Sequence, residues 1–274
     1  MVIGGGGEPL LHPEAGAICA AIKRRSWRGT LVTNGTLLHG ALTEELVAIG
    51  WDTVRVSVHA GDAHTDRAVQ GVDAFDVLRR NLTAFERQRR AARAERLSRL
   101  VVYHVLQPGN VEAVERLVEL TVDVGADEVV VEVVRPLDET LLLTEAQIAD
   151  AMGRLVVAAH RAPIPVSLPR NPVPGSVPTP APPSGVAAPP AAPAGPLPAP
   201  PGRRCVIGFE QAFVDSFGWV KPCCYATEKL GNVRDEPFAA AWRGPAYASF
   251  RRRLVDGRFA DYCRGCTLAT VLAY

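Results

Sequence analysis

Residues 1–161 alternate between short runs rich in β-branched residues and longer stretches whose apolar positions recur at helical spacing. The short runs predict strands at residues 1–3, 30–33, 53–58, 100–106 and 128–134. The longer stretches predict helices at residues 13–23, 43–49, 75–96, 111–124 and 144–160. The last of these helices begins with the capping-box spacing of Thr144 and Gln147. Strands that alternate with helices of this length predict parallel βαβ units and hence an α/β domain.

Residues 162–202 break this pattern, because proline and alanine dominate and charged residues are nearly absent. Such a composition cannot bury enough surface to offset the entropy of ordering, so it predicts a semi-rigid, largely extended linker. Residues 203–274 return to a mixed composition and predict a compact module with a hairpin at 214–220. The predicted organisation is therefore a domain at 1–161, a linker at 162–202 and a module at 203–274.

Composition and charge then limit the class of protein. The 274 residues are 47% apolar, enough for one large α/β domain and a small module. Thirty basic residues against 29 acidic ones give no bulk field for nucleic acid or an anionic membrane. No apolar run reaches the ~20 residues of a membrane helix, and the start of the chain lacks a signal-peptide pattern. We therefore expect a soluble, cytoplasmic protein with neither nucleic acid nor membrane as a partner.

Four of the six cysteines form a pattern in the last quarter of the chain. Cys205 is followed after twelve residues by Gly218 and after four more by Cys223, and Cys263 and Cys266 form a C-x-x-C pair. Thiolates in two separated pairs suit one tetrahedral metal ion or a cubane iron–sulfur cluster, and spacing leaves a structural zinc ribbon open. Six cysteines are too few for a disulfide scaffold of this length.

A run of four glycines lies near the other end of the chain. Gly6 and Gly7, followed by Glu8 and Pro9, come between a short apolar strand and a helix. Glycine there lets the backbone approach a ligand closely. The run is neither a P-loop nor a dinucleotide-binding fingerprint, and by itself a tight turn between strand and helix explains it equally well.

The cysteine-bearing module resembles the SPASM/twitch auxiliary-cluster domain of radical S-adenosylmethionine (SAM) enzymes. The first half of the pattern fits the C-x(9–15)-G-x(4)-C element of that family. The full SPASM pattern has further cysteines after the C-x-x-C, and residues 267–274 contain none, which favours the shorter twitch form. The resemblance implies one auxiliary 4Fe–4S cluster bound by Cys205, Cys223, Cys263 and Cys266.

The glycine-rich segment and the strands after it resemble a radical SAM core in the right order. The segments are 6–13, 33–38 and 54–59, and the resemblance as a whole covers roughly residues 1–134 and 203–266. It implies that Gly6, Gly7 and Glu8 hold the amino group of SAM. It also implies that Asn34 and Ser57 contact the cofactor. His59 stands where the family often has aspartate, and Gln107 is a weaker candidate for the adenosine side.

The implied fold is α/β, a partial (β/α)6 TIM-type barrel that lacks its first strand, with a small α+β cluster-binding module after it. The C-x(3)-C-x(2)-C sequence that binds the SAM-cleaving cluster in this family does not occur in these residues. Three explanations compete. The native protein is longer, or it is a truncated protein that keeps only cofactor binding, or a separate chain supplies the missing strand and cluster. We favour the first, because the retained motifs show no degeneration. A second 4Fe–4S cluster is expected only if that part is supplied.

The resemblance implies an oxidoreductase-like enzyme that generates a 5′-deoxyadenosyl radical to oxidise or modify a peptide or small-molecule substrate, inactive as this chain stands. It also implies an electron donor such as a flavodoxin or ferredoxin. The alternative is a non-enzymatic module that binds zinc or iron–sulfur and recognises a peptide or protein partner. The many arginines near residues 79–99 are interpreted as a solvated helix face, because glutamates are interspersed. Asp215 is either an acid–base group or a turn residue.

Overall fold

The computed structural model describes residues 1–92, 98–134, 142–167 and 205–263. The chain divides into two compact units, Met1–Ala181 and Pro182–Tyr274. We describe each unit by itself.

The first unit contains a six-stranded, all-parallel sheet with strands in sequential order. Its strands are β1 Val2–Ile3, β2 Thr30–Thr33, β3 Thr53–Ser57, β4 Arg99–Leu106, β5 Glu128–Val133 and β6 Val166–Ser167. Its helices are α1 Ala15–Arg24, α2 Ala41–Ala48, α3 Ala63–Gln70, α4 Phe75–Ala91, α5 Val114–Asp123 and α6 Glu145–Arg161. Short 3₁₀ turns at Pro9–Leu11 and Val111–Ala113 precede α1 and α5.

Sequential strand order explains where the core of this unit lies. Parallel strands joined by right-handed crossovers in sequential order place the connecting helices on the same face of the sheet. Alternate strand residues accordingly pack with the helices in one hydrophobic core, among them Val54 and Val56 of β3 and Val102 of β4. The intervening residues of β3, such as Arg55 and Ser57, point to the opposite face and are half-buried. The sheet therefore has one face covered by helices and one face lined by half-buried side chains.

The α/β class is confirmed, and five predicted strands are present within one residue at each end. A sixth strand, β6, lies inside the range 162–202 that composition assigns to the linker, so the sheet domain continues to Ser167. The predicted helix at 75–96 ends earlier, because α4 stops at Ala91 and Ala92 has an extended backbone. Helix α3 was not predicted, since its buried residues are polar and give no apolar period.

Two predictions about side chains in the helices had different outcomes. Thr144 and Gln147 form the expected capping box at the start of α6. The arginines of α4 do not all lie on a solvated face, because Arg89 is 2% exposed. Its guanidinium bonds Glu86 and Asp127 and the carbonyl of Ser98. Burial with full pairing is the condition under which an arginine is tolerated in a core.

The second unit is built around a small antiparallel sheet. Its strands are β7 Phe213–Val214, β8 Trp219–Lys221 and β9 Gly231–Asn232, and its helices are α7 Ile207–Glu210, α8 Phe238–Arg243 and α9 Pro245–Val255. The predicted hairpin is confirmed by the antiparallel pairing of β7 with β8. Val220, Tyr247 and Phe250 lie in its core. In neither unit do the described residues include a helix long and apolar enough to cross a membrane.

Candidate functional site

The glycine run forms a loop immediately after β1, at the carboxyl end of that strand. Gly4, Gly5, Gly6 and Gly7 have φ values of 148°, 91°, 77° and 154°, a region that residues with a Cβ rarely adopt. A Cβ on Gly4 would lie 2.6 Å from the Cβ of Val32, whereas a Cβ on Gly6 or Gly7 would meet nothing within 4 Å. Gly4 therefore packs against β2, while the backbone of Gly6 and Gly7 borders open space.

Glu8 anchors this loop to the end of β2. Its Oε1 accepts hydrogen bonds from Leu10 N at 3.0 Å and from Thr33 Oγ1 at 2.7 Å, and its Oε2 accepts one from Asn34 N at 2.7 Å. A carboxylate offers about four lone-pair positions, so one remains for a further donor. The structure thus brings predicted residues Glu8 and Asn34 into direct contact.

The turn after β2 is held from within and from α4. Asn34 Oδ1 accepts from Thr36 N at 3.0 Å and from Thr36 Oγ1 at 2.8 Å, which closes an Asx turn. Gly35 has a φ of 77°, and a Cβ there would meet Leu78 Cδ1 at 2.6 Å. The buried Asn81 donates through Nδ2 to the carbonyls of Gly35 and Thr36 at 2.9 and 2.8 Å. This turn is therefore preorganised by protein contacts alone.

The ends of β3 and β4 meet beside that turn in the same sheet. Ser57 is the last residue of β3 and lies half-buried on the open face, in register with Tyr103. Asn110 links the following loops, because its Nδ2 donates to the carbonyls of His59 and Val105 at 2.9 Å each. Its Oδ1 accepts from Gln107 N at 2.8 Å. Gln107, a candidate from the sequence, thus starts a loop whose backbone is held by Asn110.

Two histidines near this edge are neutral. Val105 N donates to Nδ1 of His59 at 3.2 Å, and burial lowers the pKa of His59. His104 is 1% exposed, and burial lowers its pKa to about 4. Its Nδ1 lies 3.0 Å from the carbonyl of Val58, so this nitrogen carries the proton, and its Nε2 has no hydrogen-bond partner. His104 packs on the helix-covered face, so it belongs to the core rather than to the open face.

Gly6, Gly7, Glu8, Asn34 and Ser57 thus lie at the carboxyl ends of β1, β2 and β3. Ligands of parallel α/β sheets bind at that edge. The open backbone at Gly6 and Gly7 beside an anchored carboxylate fits a small ligand with an amino group, and SAM has one. The donors and acceptors are mostly backbone groups, which can bind such a ligand but cannot transfer protons.

Three of the four predicted thiols lie together in the second unit. Cys205, Cys223 and Cys263 line one cavity of about 30 Å³. Its other walls are apolar or aromatic, from Ile207, Pro222, Tyr225, Phe250, Leu254, Phe259 and Tyr262. The fourth predicted ligand, Cys266, lies outside the described residues. Cys224 is exposed, in contrast to its neighbour Cys223 in the cavity wall. Thiols in an apolar setting suit a soft metal centre shielded from water.

Polar groups border this cavity on one side. Tyr262 donates its hydroxyl to Glu228 Oε2 at 3.2 Å, and Arg253 Nη2 contacts both oxygens of Glu228 at 2.6 Å. Burial first, and then the charge of Glu228, raise the pKa of Tyr262, so this phenol stays protonated. Within the described ranges no three His, Cys, Asp or Glu side chains lie at the spacing that a single metal ion requires.

Asp215, left open between an acid–base group and a turn residue, lies in the hairpin between β7 and β8. It accepts from Phe217 N and Trp219 N at 3.0 Å each, and its carboxylate is 2.8 Å from Lys221 Nζ. The bond from Lys221 and these amides lower the pKa of Asp215. These contacts make it a turn residue. Cys19, expected in the core, is 1% exposed, and burial raises its pKa to about 11.

Sequence reasoning missed the residues that hold the site in shape. Asn81 and Asn110 touch the loops from elements far away in the chain, and Asn81 contacts a residue 46 positions earlier. A usable signal exists for Asn81, because it lies on the same helical stripe as Leu78, Leu82 and Phe85, which are all buried. A polar amide on an apolar stripe indicates a specific partner, since buried amides are hydrogen-bonded.

Two family models match the chain. The model described as the radical SAM superfamily matches residues 1–121, and the model of the iron–sulfur cluster-binding SPASM domain matches residues 205–267. The sequence is 33% identical over 124 residues to a PqqA peptide cyclase from Streptomyces rochei, covering 45% of this chain and 32% of that protein. It is 29% identical over 124 residues to a probable GTP 3′,8-cyclase from Saccharolobus islandicus, covering 45% and 38%.

A solved structure extends the comparison to the fold. Streptococcus suis SuiB bound to S-adenosylmethionine has a TM-score of 0.63 and 13% identity, with 97% of this chain and 58% of that one covered. At this identity the similarity shows the fold alone. The matches span 32% and 38% of the length of the two curated relatives.

Proposed function

Because the chain belongs to the radical SAM superfamily and carries an iron–sulfur cluster-binding SPASM domain, we propose that it binds SAM at the carboxyl edge of its sheet and takes part in radical modification of a substrate. The observation that carries this proposal is the loop of Gly4–Gly7 anchored by Glu8 beside Asn34. SAM held next to a reduced iron–sulfur cluster supplies hydrogen-atom abstraction from a substrate.

Each residue at this edge has a role in the proposal that its position or its contacts support. Gly6 and Gly7 present backbone groups to the ligand, because no side chain blocks them. Glu8 holds the loop on β2 with three hydrogen bonds and keeps one lone-pair position for an ammonium group. Asn34 and Ser57 border the same edge and contact the cofactor through side chains that are exposed and half-buried. Hydrogen bonds within the protein hold the loop and the turn, so we expect little ordering entropy to oppose binding.

In the second unit we propose that Cys205, Cys223 and Cys263, with Cys266 as fourth ligand, hold an auxiliary 4Fe–4S cluster. The thiols line one cavity, and its apolar and aromatic walls limit the access of water to the sulfurs. Tyr262, whose pKa is raised by burial and then by Glu228, stays protonated and closes one wall without adding charge. The protein's part here is to bind the cluster and to control its access to solvent.

We propose a peptide as the substrate, because the relative at 33% identity is a peptide cyclase by name. A nucleotide is the second candidate, because the relative at 29% identity is named a probable GTP cyclase. A reaction in the oxidoreductase class, a cytoplasmic location and a flavodoxin or ferredoxin as electron donor remain predictions of the same proposal.

The proposal separates binding of SAM from its cleavage. These 274 residues contain no C-x(3)-C-x(2)-C sequence, which supplies the three thiolates of the SAM-cleaving cluster in this family. We therefore expect the 274-residue chain to bind SAM but to release no 5′-deoxyadenosine with a chemical reductant. Release of this product, measured by chromatography and mass spectrometry, would contradict the expectation. A longer protein that also carries a C-x(3)-C-x(2)-C segment should release 5′-deoxyadenosine.

Anaerobic reconstitution with iron and sulfide tests the proposal. We expect a brown protein with about four irons per chain, and SAM binding measured by equilibrium dialysis. Cys263→Ala should lose the iron and keep SAM binding, because the two sites lie in different units. Cys224→Ala is the matched control and should keep the iron, since its thiol is exposed. A colourless protein with one zinc would favour the alternative, a non-enzymatic metal-binding module.

A further inference from the structure

We propose that Arg55, stacked on Tyr103, binds an oxyanion of the substrate, a carboxylate or a phosphate, on the open face of the sheet. This inference deepens the proposed function and depends on it in one respect, namely that the bound ligand is the substrate. The observations behind the inference are the position of Arg55 in β3, its contact with the Tyr103 ring, and the charges around it.

Arg55 lies where a substrate would meet the cofactor. Val54 and Val56 pack in the core, so Arg55 and Ser57 point together to the opposite face. Two residues of a strand span about 7 Å, so Arg55 lies one pleat deeper than Ser57 from the carboxyl edge. SAM bound at the glycine loop and Ser57 would therefore not cover Arg55. The arginine would remain accessible to a substrate bound next to SAM.

The stacking leaves the hydrogen-bonding edge of the guanidinium available. The Arg55 guanidinium carbon lies 4.1 Å from the centroid of the Tyr103 ring, in cation–π geometry. Stacking uses the flat face of the group, whereas its N–H donors lie in the plane and match the two oxygens of a carboxylate or phosphate. A side chain that packs on a ring has given up part of its rotamer freedom, which lowers the entropy lost when a ligand binds.

Other enclosed arginines of this unit have acidic partners. Arg89 contacts Glu86 and Asp127, and Arg154 lies 2.5 Å from Glu115. Among the residues that the structure describes, Arg55 is half-buried and makes no such ion pair, and its guanidinium contacts the Tyr103 ring. A half-buried cation that no carboxylate neutralises keeps N–H donors with which it can bind an anion from outside.

The carboxylates on this face lie farther away. Glu128 is in register with Val101, which is in register with Arg55, so it lies two strands away at about 10 Å. It is already engaged by Arg99 and by Ser167. Glu132 lies on β5 closer to the carboxyl edge, in register with Val105. On this face the positive charge of Arg55 therefore lies on β3, away from the carboxyl edge, whereas the negative charges of Glu128 and Glu132 lie on β5. This separation of charge would orient a ligand that carries an oxyanion.

The test follows the side-chain Nε–H resonance of Arg55 in ¹⁵N-labelled protein by NMR, assigned by its loss in Arg55→Lys. The probes are N-acetylglutamate N-methylamide, its neutral glutamine counterpart, and inorganic phosphate. We expect a saturable shift with the glutamate probe or with phosphate, which also identifies the oxyanion, and none with the glutamine probe. No shift with either anion, or equal shifts with the glutamate and glutamine probes, would overturn the proposal.

Variants then separate charge from geometry. Arg55→Lys keeps the positive charge but loses the paired N–H donors and the planar face of the guanidinium. The affinity for the anion should therefore fall about tenfold or more, as measured from the backbone amide resonances of β3. Tyr103→Phe keeps a ring and should bind nearly normally, whereas Tyr103→Leu should bind severalfold more weakly. Arg80→Lys is the matched control, because Arg80 is exposed on α4. Equal affinity in Arg55→Lys and Arg80→Lys would contradict a role for the guanidinium.

SAM binding distinguishes failure of this inference from failure of the proposed function. If Arg55 serves the substrate, Arg55→Lys should leave the SAM dissociation constant unchanged. A large loss of SAM affinity in Arg55→Lys would assign the arginine to the cofactor carboxylate and overturn the inference while leaving the proposed function intact. Absence of SAM binding and of iron in the unmodified chain would contradict the proposed function, whatever the probes show at Arg55.

Discussion

The two candidate sites are built in opposite ways. The glycine loop and the turn after β2 are held by protein groups, with Glu8 and Asn81 making most of the bonds, over a core of 31 buried residues among those described. The cysteine cavity sits on a core of six buried residues in the described part of its unit. A core of that size stabilises a fold weakly without a metal or disulfide. One site is therefore preformed, whereas the other should depend on what its thiols bind.

The largest expected effect is removal of the metal centre that we propose for the cysteine cavity. Because binding free energy at such a centre is also folding free energy, we expect loss of the cluster to unfold most of residues 205–263 and to leave the sheet unit folded. Hydrogen exchange measured by mass spectrometry, before and after chelation under oxidising conditions, reports both units in one experiment. If the amides of the second unit remain protected from exchange after the metal is lost, the cysteine cavity does not depend on the metal for its structure.

Neighbouring cysteines give the matched control for this effect. Cys223→Ala should reproduce the loss of protection, because its thiol lines the cavity. Cys224→Ala should behave as the unmodified protein, because Cys224 is exposed. Equal behaviour of the two variants would mean that the cavity does not hold the metal.

A buried ion network should be the next largest contributor, and it belongs to the sheet unit alone. Arg89 bonds Glu86, Asp127 and the carbonyls of Ser98 and Gly125. Arg89→Met leaves these acceptors without their donor, and removal of one buried partner costs about 3–5 kcal/mol in the free energy of unfolding. Urea unfolding should show that loss.

The same variant tests whether the units are independent. Iron content should stay unchanged in Arg89→Met, because the second unit does not contain this network. Arg87→Met, which removes an exposed arginine of the same helix, should unfold within about 0.5 kcal/mol of the unmodified protein. A loss of iron in Arg89→Met would show that the two units are coupled.

The sequence predicted the parts of the fold whose signals are local. β-branched runs placed five strands, and Thr144 with Gln147 placed the start of α6, because propensity and capping act between near neighbours. β6 was missed, since two residues in a proline-rich context carry no period and are strand only through pairing with β5. Burial of Arg89 was also missed, because its acceptors at Gly125 and Asp127 lie more than 35 residues away.

The candidate site follows the same division. Glycines and cysteines can be located from the sequence because their chemistry is specific at each position. The amide side chains of Asn81 and Asn110 hydrogen-bond residues that are distant in the chain, so no local sequence pattern predicts these partners. Cys266 could be assigned from spacing alone and stays a prediction, since it lies outside the described residues.

Acidification should destabilise the sheet unit through His104. The folded state binds a proton on this ring only near pH 4, whereas the unfolded chain binds it near 6.5. The unfolded state therefore gains a proton first as the pH falls, and stability is lost between about 6.5 and 4, by up to about 3 kcal/mol. His59, whose pKa burial also lowers, acts in the same direction. Below pH 4 the contribution of His104 levels off.

Unfolding free energies measured at several pH values test this sign. His104→Gln should flatten the slope between pH 6.5 and 4, because glutamine does not titrate. His12→Gln is the control, since His12 is exposed. The same slope in both variants would show that the pH dependence comes from other groups.

The smallest expected effect is the most specific to the preformed site. Asn81→Ala removes two hydrogen bonds to the turn after β2, which should cost about 1–3 kcal/mol because two buried carbonyls lose their donor. The turn carries Asn34 at the proposed SAM edge, so a looser turn must be ordered when SAM binds, and affinity should fall about threefold to tenfold. Thr83→Ala, at an exposed position of the same helix, should leave SAM affinity unchanged.

This pair of variants decides whether preorganisation or mere stability matters at the first site. If Asn81→Ala unfolds more easily but binds SAM as tightly as the unmodified protein, the turn is a structural support and the comparison between the two sites loses its basis. If SAM affinity falls while iron content stays constant, then Asn81 acts on the cofactor edge through the turn. The sheet site would then owe its shape to side chains that never touch the ligand, whereas the cysteine cavity is expected to owe its shape to the metal centre proposed for it.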